Sequence, residues 1–336
     1  MFRCFEFFFS SRNLVLSRFE SPFPTTKRTD DESEGDEPTD GFNEHWGWFT
    51  TIHYLATTSI LSITGDDSIP KLNFVFVLYL VQLNLTVLYL KTKKRIEQKP
   101  KAINDFDLPK VLVQLPVYNE KYVVQRLVDS IASLDYPNNK LEIQILDDSN
   151  DETSAIIKRK VVEYVEKGMD IGHVQRPDRI DFKAGALQYG LQQSSADYVA
   201  IFDADFMPKP DFLKKTLPYF ANKKVGLVQS RWEHLNYNYS LLTRLQAYVL
   251  NAHFTVDQKG RNYGKHFINF NGTAGIWRRD AITTSGGWQG DTLTEDLDLS
   301  YRAQLGGWQF VYLEDLETPA EPPSAMNALK SQQFRW

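Results

Sequence analysis

From Lys110 onward the chain alternates short β-rich runs with amphipathic helical stretches, and no other feature restricts its fold so tightly. Val111–Leu115 reads as a strand, Val123 to Leu134 as a helix, Glu142–Leu146 as a strand, Ser154 to Glu166 as a helix and Tyr198–Phe202 as a strand. β-Branched residues suit a pleated surface, and apolar positions at helical spacing give each connecting segment one face to bury. Strands separated by helices of this length predict an α/β fold, an open and largely parallel sheet covered by helices. Ligands in such sheets bind beyond the carboxyl ends of the strands, which makes the polar residues there the candidates for chemistry.

Three strand ends carry them. The first runs into Pro116-Val117-Tyr118-Asn119-Glu120, the second into Asp147-Asp148-Ser149-Asn150 and the third into Asp203-Ala204-Asp205. Helix capping would explain the Asp-Ser-Asn run alone, but not the convergence of three polar ends on one rim. On an extended segment Asp203 and Asp205 point to the same side, where their repulsion is costly unless a cation lies between or beside them. Mg2+ or Mn2+, held by one or two carboxylates and completed by phosphate oxygens, fits that requirement. Lys183 stands at the predicted start of a helix between the second and third rim segments, a place suited to an anion; the plainer alternative is a solvated surface lysine. Thr294-Glu295-Asp296 opens another helix-forming stretch, with capping again the plainer alternative.

The remainder of the 336 residues frames this unit. A formal charge of −5 gives no basic field for nucleic acid, so any anionic ligand must be met by local cations. One cysteine, Cys4, allows neither a disulfide framework nor a thiolate metal site, and the six histidines show no HExxH-type pairing. Residues 1–41 read as a disordered acidic tail and 42–69 as a weakly apolar, membrane-proximal segment. Leu72 to Leu90 contains no charge and, at ~1.5 Å per residue, approaches the ~30 Å hydrocarbon thickness of a bilayer, so 70–95 reads as a transmembrane helix with a basic flank. A buried core helix is the alternative. Lys91, Lys93, Lys94 and Arg95 mark the cytosolic side and place the domain from 105 to 336 in the cytosol, on a plasma, inner or Golgi membrane.

The ordered set Asp-Asp, Asp-x-Asp, Thr-Glu-Asp and Gln-x-x-Arg-Trp, within PVYNE, LDDSNDET, RPDRIDFKAGAL, FDADF, FNGTAGIWRR and TLTEDLDLSYRAQLGGW, resembles the processive family 2 glycosyltransferases. It is most similar to the cellulose-synthase-like branch that includes plant glucomannan synthases and their bacterial relatives. The resemblance covers about Leu80 to Trp336 and implies a GT-A fold and hexosyl transfer from UDP-glucose or GDP-mannose to a polysaccharide acceptor, with Mg2+ or Mn2+. It also implies residue roles: Asp205 holding the metal with Asp203 beside it, and Lys183 and Arg335 on the diphosphate. Tyr118 with Asp147 or Asp148 would contact the nucleoside, Glu120 and Gln332 would line the same donor site, and Asp296, with Glu295, would act as general base. Phe270, Asn271, Gly272 and Thr273 resemble the acceptor-terminus loop, and Trp336 would offer the acceptor ring an apolar face. Family members continue past Gln-x-x-Arg-Trp into channel-forming helices, so a chain ending at Trp336 reads as truncated. A non-processive transferase, an idle membrane scaffold and a glycosidase built on paired carboxylates are the competing expectations.

Overall fold

The computed structural model describes residues 68–92, 100–292 and 294–335, with the side chains of 68–75, 78 and 331–335 outside the description. The expected acidic tail, most of the membrane-proximal segment, the basic residues Lys93, Lys94 and Arg95, and Trp336 therefore lie outside the described residues. The first described element is helix α1 (Ser68–Thr92), 25 residues and about 37 Å long. Its part from Val81 onward belongs to the same compact unit as the rest of the chain to Arg335.

That unit begins with β1 (Val111–Val117), α2 (Val124–Ala132), β2 (Leu141–Asp147), α3 (Thr153–Glu166), β3 (Asp170–Val174), α4 (Phe182–Gln192) and β4 (Tyr198–Ile201). It continues through α5 (Phe212–Thr216), β5 (Val225–His234), α6 (Leu241–Ala252), a π-helical turn (His253–Gln258), α7 (Lys259–Tyr263), β6 (Gly275–Arg278), α8 (Arg279–Thr284), α9 (Glu295–Leu305), β7 (Gln309–Ala320) and α10 (Met326–Arg335). The strands form one seven-stranded sheet in the order β3-β2-β1-β4-β6-β5-β7. β1 pairs in parallel with β2 and β4, β2 with β3, and β5 with β7, whereas β6 runs antiparallel to both neighbours. The three strands expected from the sequence are present, and the sheet is largely parallel as their helical crossovers require.

β1 and β2 are buried almost throughout, which is why they read as continuous apolar runs rather than as alternating ones. Their few polar members are paired: Gln114 donates to Gln144 Oε1 at 3.3 Å and to the Leu187 carbonyl at 3.1 Å, tying α4 to the sheet. In the other half of the sheet the core is aromatic, with the Trp277 ring 5.6 Å from Phe270, 6.0 Å from Trp288 and 5.2 Å from Phe310, each pair edge-on.

Gly190 sets how closely α4 approaches the sheet. A Cβ there would stand 2.5 Å from Gln144 Oε1, 2.6 Å from Leu146 Cδ2 and 2.7 Å from Gln114 Nε2. All three belong to buried strand residues that cannot swing away. We expect Gly190→Ala to destabilise the domain by about 1–3 kcal/mol despite the better helix propensity of alanine, read as a lower midpoint in urea unfolding followed by tryptophan fluorescence. An unchanged or higher midpoint would show that the helix can lift off at no cost.

The register sets the rim. Val117 is paired with Asp147, Gln114 with Ile201, and Ile201 with Gly275, so β6 starts where β4 stops. Reversal of this one strand delivers the segment before it, residues 269–274, to the edge where β1, β2 and β4 end.

The part of α1 from Val81 onward packs on the rest of its unit. Gln82 donates to Asp257 Oδ1 at 3.0 Å, Leu85 is buried, and Gly260 lies so close that a Cβ on it would stand 2.7 Å from the Leu85 carbonyl. Among the described residues no helix is long and apolar enough to cross a membrane; the described side chains of α1 begin at Phe76.

Candidate active site

The loops after β1 and β2 are stitched to each other. Asn119 adopts a left-handed conformation, φ 58°, which asparagine tolerates better than most residues. Its backbone N–H donates to Ser149 Oγ at 2.9 Å, and its Oδ1 accepts from the Asn150 N–H at 3.0 Å.

Asp147 is buried beneath this joint and accepts from Ser149 N–H at 2.9 Å, Ser154 Oγ at 2.5 Å and Gln175 Nε2 at 3.3 Å, with His173 Nε2 at 2.8 Å. Burial alone would push this carboxyl up, but the contacts to His173, Ser154 and Ser149 outweigh it and hold the group at about 2. Of the pair Asp147 and Asp148 expected at the nucleoside, Asp147 has its oxygens engaged inward, organising the β2 end. The folded value lies below the ordinary 3.8, so its stabilisation is present above about pH 4 and lost as pH falls through about 2. We expect Asp147→Asn to cost about 2 kcal/mol at pH 7, with the gap to wild type closing in unfolding measurements toward pH 3. A gap independent of pH would mean that the carboxylate charge contributes nothing.

Asp148 is gripped from the side by Arg176, whose Nε and Nη2 reach its two oxygens at 2.8 and 2.6 Å. The rest of the Arg176 fork donates to the Ile180 and Phe182 carbonyls at 2.5 and 2.6 Å. Those carbonyls are aimed by a strained turn in which Asp181 and Phe182 both have positive φ, 58° and 43°. Each such residue costs on the order of 1–3 kcal/mol, and the turn persists because the arginine bonds straddle it. Arg179 lies 3.4 Å above the centroid of the Tyr118 ring, forming a flat, half-exposed wall at the β1 end. Asp148 thus contributes by fixing the arginine loop, while Tyr118 presents a surface.

Lys183, in the first turn of α4, reaches to the centre of the rim. Its Nζ donates to Asp203 Oδ1 at 2.5 Å and to the Gly272 carbonyl at 3.0 Å, and lies 4.0 Å from Glu295 Oε1. Burial would lower this ammonium, but Asp203, Glu295 and Asp296 outweigh that and hold it above the ordinary lysine range, so it is charged. The surface-lysine alternative does not describe it.

Asp203 and Asp205 occupy a turn beyond β4, closed by the Phe206 N–H to the Asp203 carbonyl at 3.1 Å, and not the extended segment expected from alternation. The expected repulsion is nevertheless present. Burial, then Asp203 and Glu120, push the Asp205 carboxyl up to about 7, with Lys183 opposing. Asp296, at the start of α9, is likewise pushed up to about 7 by burial and then by Glu295 beside it, with Lys183 pulling it back. Gly272, at φ 76°, separates the two groups: a Cβ there would stand 3.2 Å from Asp296 Oδ2 and 3.4 Å from Lys183 Nζ. Only a residue without a side chain lets the Asp296-bearing helix and the lysine share this corner.

The segment before β6 is held from two sides. Thr273 Oγ1 accepts from the Asp203 N–H at 2.9 Å, and the Phe270 N–H donates to Ser300 Oγ, which itself donates to the Asp296 carbonyl at 2.6 Å. Asn271 accepts from Gln258 Nε2 at 3.2 Å through Oδ1. Phe270 and Thr273 are buried and anchor the loop expected at the acceptor end, and Gly272 and Asn271 form its inner edge. Gln332 and Arg335 lie on α10, but their side chains, like all of Trp336, fall outside the described residues.

Among the described residues no three His, Cys, Asp or Glu side chains form a metal cage. An open pair such as Asp203 and Asp205, half-buried and mutually repelling, still suits a hard divalent ion that takes its remaining ligands from phosphate and water. Sequence reasoning passed over His173, Arg176 and Arg179. Their trace was the density of cations in His173-Val-Gln-Arg-Pro-Asp-Arg between two acidic rim segments.

A family model described as glycosyltransferase-like family 2 matches residues 109–336. Glucomannan 4-beta-mannosyltransferase 7 of Arabidopsis thaliana is 43% identical over 277 residues, 78% of this chain and 49% of that protein. Probable glucomannan 4-beta-mannosyltransferase 2 of Oryza sativa subsp. japonica is 45% identical over 235 residues, 68% of this chain and 40% of that protein. The chain spans about half the length of the curated relatives it matches. Among solved structures, a mannosyltransferase from Pyrobaculum calidifontis in complex with GDP-Man and Mn2+ shares the fold, with a TM-score of 0.61 at 21% identity over 77% of this chain and 70% of that one.

Proposed function

The chain belongs to glycosyltransferase family 2, and from that membership and the geometry of its rim we propose that it transfers a hexose from a nucleotide-sugar to the end of a β-linked polysaccharide, inverting the anomeric carbon. The observation that carries this reading is the Lys183 ammonium, poised between the Asp203 carboxylate and the Gly272 carbonyl, with Asp296 across the same glycine. A cation for a leaving diphosphate and a carboxylate for an incoming hydroxyl thus share one corner, which displacement at a sugar carbon requires.

Asp205 and Asp203 would hold a divalent cation, Mg2+ or Mn2+, which when bound supplies positive charge for the leaving diphosphate. Lys183, already against Asp203, would bind the diphosphate, a role we extend to Arg335 and Gln332 from the family resemblance. The Tyr118–Arg179 wall, with Glu120 nearby, lies against the nucleoside. Asp296 accepts the proton of the acceptor hydroxyl and Glu295 sets its electrostatic surroundings, while Asn271, Gly272 and Trp336 flank the acceptor. One base acting opposite the leaving group gives a β-linked product from an α-linked donor. GDP-mannose is the first donor to test, because the relatives at 43–45% identity are named for mannosyl transfer, and UDP-glucose is the second. We place α1 across a bilayer with Lys91, Lys93, Lys94, Arg95 and the catalytic unit on the cytosolic side, since the run from Leu72 to Leu90 is uncharged.

The test is incubation of membranes containing the protein with each labelled nucleotide-sugar and Mn2+ or Mg2+, followed by linkage analysis. A β-linked polymer is expected. A single sugar on a lipid would replace the polysaccharide acceptor by a lipid one, and release of free sugar alone would point to hydrolysis.

A further inference from the structure

Residues 268–273 lie outside the sheet, and much of their backbone is held by side chains instead of by a neighbouring strand. Three glutamines do this, each from a different element. Gln304 of α9 accepts the Ile268 N–H at 3.0 Å and donates to the Ile268 carbonyl at 2.8 Å. Gln258 of the π-helical turn donates to the Asn269 carbonyl at 3.2 Å. Gln229 of β5 accepts the Asn271 N–H at 3.3 Å and donates to the Thr273 and Ala274 carbonyls at 3.1 and 3.2 Å. A primary amide offers a donor and an acceptor side by side, as a peptide group does, so it can stand in for a strand partner.

Of the three, Gln229 brackets the corner shared by Lys183 and Asp296. It is fully buried, and its contacts at Asn271 and Thr273 stand one residue before and one residue after Gly272, whose carbonyl accepts from Lys183. Among the described residues neither the Asn271 N–H nor the Thr273 carbonyl has another partner. Gly272 and Ala274 both have positive φ, 76° and 55°. An alanine rarely adopts that conformation, which persists only where its surroundings over-determine it. The Lys183 ammonium carries three N–H donors, of which Asp203 and the Gly272 carbonyl take two, so the place of that carbonyl decides where the third points.

We propose that Gln229 is a positioning residue for Lys183: by pinning the backbone on either side of Gly272 it fixes the carbonyl that aims the ammonium, and it thereby sets the affinity for the diphosphate of the donor. The second half rests on the role proposed for Lys183 toward that diphosphate, and the first half is independent of it. Gln229 itself touches no substrate in this scheme. It acts from the far side of the loop, as the buried support of a strained peptide.

The test compares the purified full chain with Gln229→Met, Lys183→Ala and the double variant, each held well below its unfolding midpoint. Methionine keeps the length of glutamine and offers no N–H; Gln229→Glu, which keeps the acceptor for Asn271 and loses the donors, is the second variant. Acetylation of each lysine in the ligand-free protein is followed by mass spectrometry. At Lys183 the rate is expected to rise at least about 3-fold in Gln229→Met, as loss of one hydrogen-bonded hold implies, while the exposed Lys167 is unaffected. An unchanged rate at Lys183 in both Gln229 variants overturns the proposal. Calorimetric titration with GDP and Mn2+ then reads the consequence: affinity is expected to fall about 10-fold in Gln229→Met, and to fall no further when Gln229→Met is added to Lys183→Ala. Equal weakening in both backgrounds would mean that Gln229 acts on the fold at large, and overturns the proposal. If Lys183 reacts faster while neither single variant alters the affinity for GDP, the diphosphate role of Lys183 fails and its positioning by Gln229 stands.

Discussion

Asp205→Asn abolishes turnover, with a fall of at least about 10³-fold, and removes the dependence of donor binding on divalent cation. The amide preserves size and hydrogen bonding but not the charge, and in this rim charge is the scarce requirement. Asp205 is half-buried close to Asp203 and Glu120, and Lys183 is already committed to Asp203. With no cation present that arrangement repels itself. The same substitution is therefore expected to raise the thermal midpoint of the cation-free chain while it destroys function, a trade common at active sites. Calorimetric titration of nucleotide-sugar with and without Mn2+, set beside a melting curve, reads both effects. Retained cation-dependent affinity would move the metal elsewhere, and a lowered midpoint would mean that the carboxylate stabilises the cation-free fold.

Asp296→Asn gives the second large effect and a different pattern. Its Oδ1 accepts the Leu297 N–H at 2.8 Å, a bond that an asparagine carbonyl can keep, so the first turn of α9 stays in place. What is lost is the capacity to take up a proton on the side facing Gly272. Turnover is expected to fall by about 10²–10⁴-fold while the donor dissociation constant stays within a few-fold of wild type, as for a group needed mainly in the transition state. Isothermal titration and initial rates on the same preparation separate the cases. Collapse of donor affinity together with turnover would make Asp296 a binding residue.

Much of the half built from β1 to β4 was legible because its strands are buried on both faces and its polar rim residues sit immediately after them. Val111–Val117, Leu141–Asp147 and Tyr198–Ile201 read as apolar runs ending in polar residues, and that rule found Tyr118, Asp148 and Asp203 without coordinates. The far half resisted for definable reasons. β6 is four residues long, too short for any periodicity, and β7 carries Glu314, Asp315, Glu317 and Pro319 in a strand whose pairing with β5 is interrupted by register shifts. Residue type also misled at single positions. Asp147 looked like a ligand group but turns inward to four partners, and Phe270, within the loop that resembles an acceptor-terminus loop, fills the core beside Trp277. Orientation separates these from Tyr118, and pattern alone does not give orientation.

The reversed strand β6 has a consequence in time. β1 to β4 come from residues 111–201 and close on one another through successive crossovers, whereas Gly275 must find Ile201 across the whole excursion through β5 and α6. Closing so long a loop has to precede the contacts that reward it, which makes this pairing a late event in folding. During synthesis the half that carries β1 to β4 is therefore fully emerged before the strand that seals it exists. At ordinary elongation rates the edge of β4 stands open for roughly 4–15 s, an unpaired template on the nascent chain, until Gly275–Arg278 arrives to occupy it.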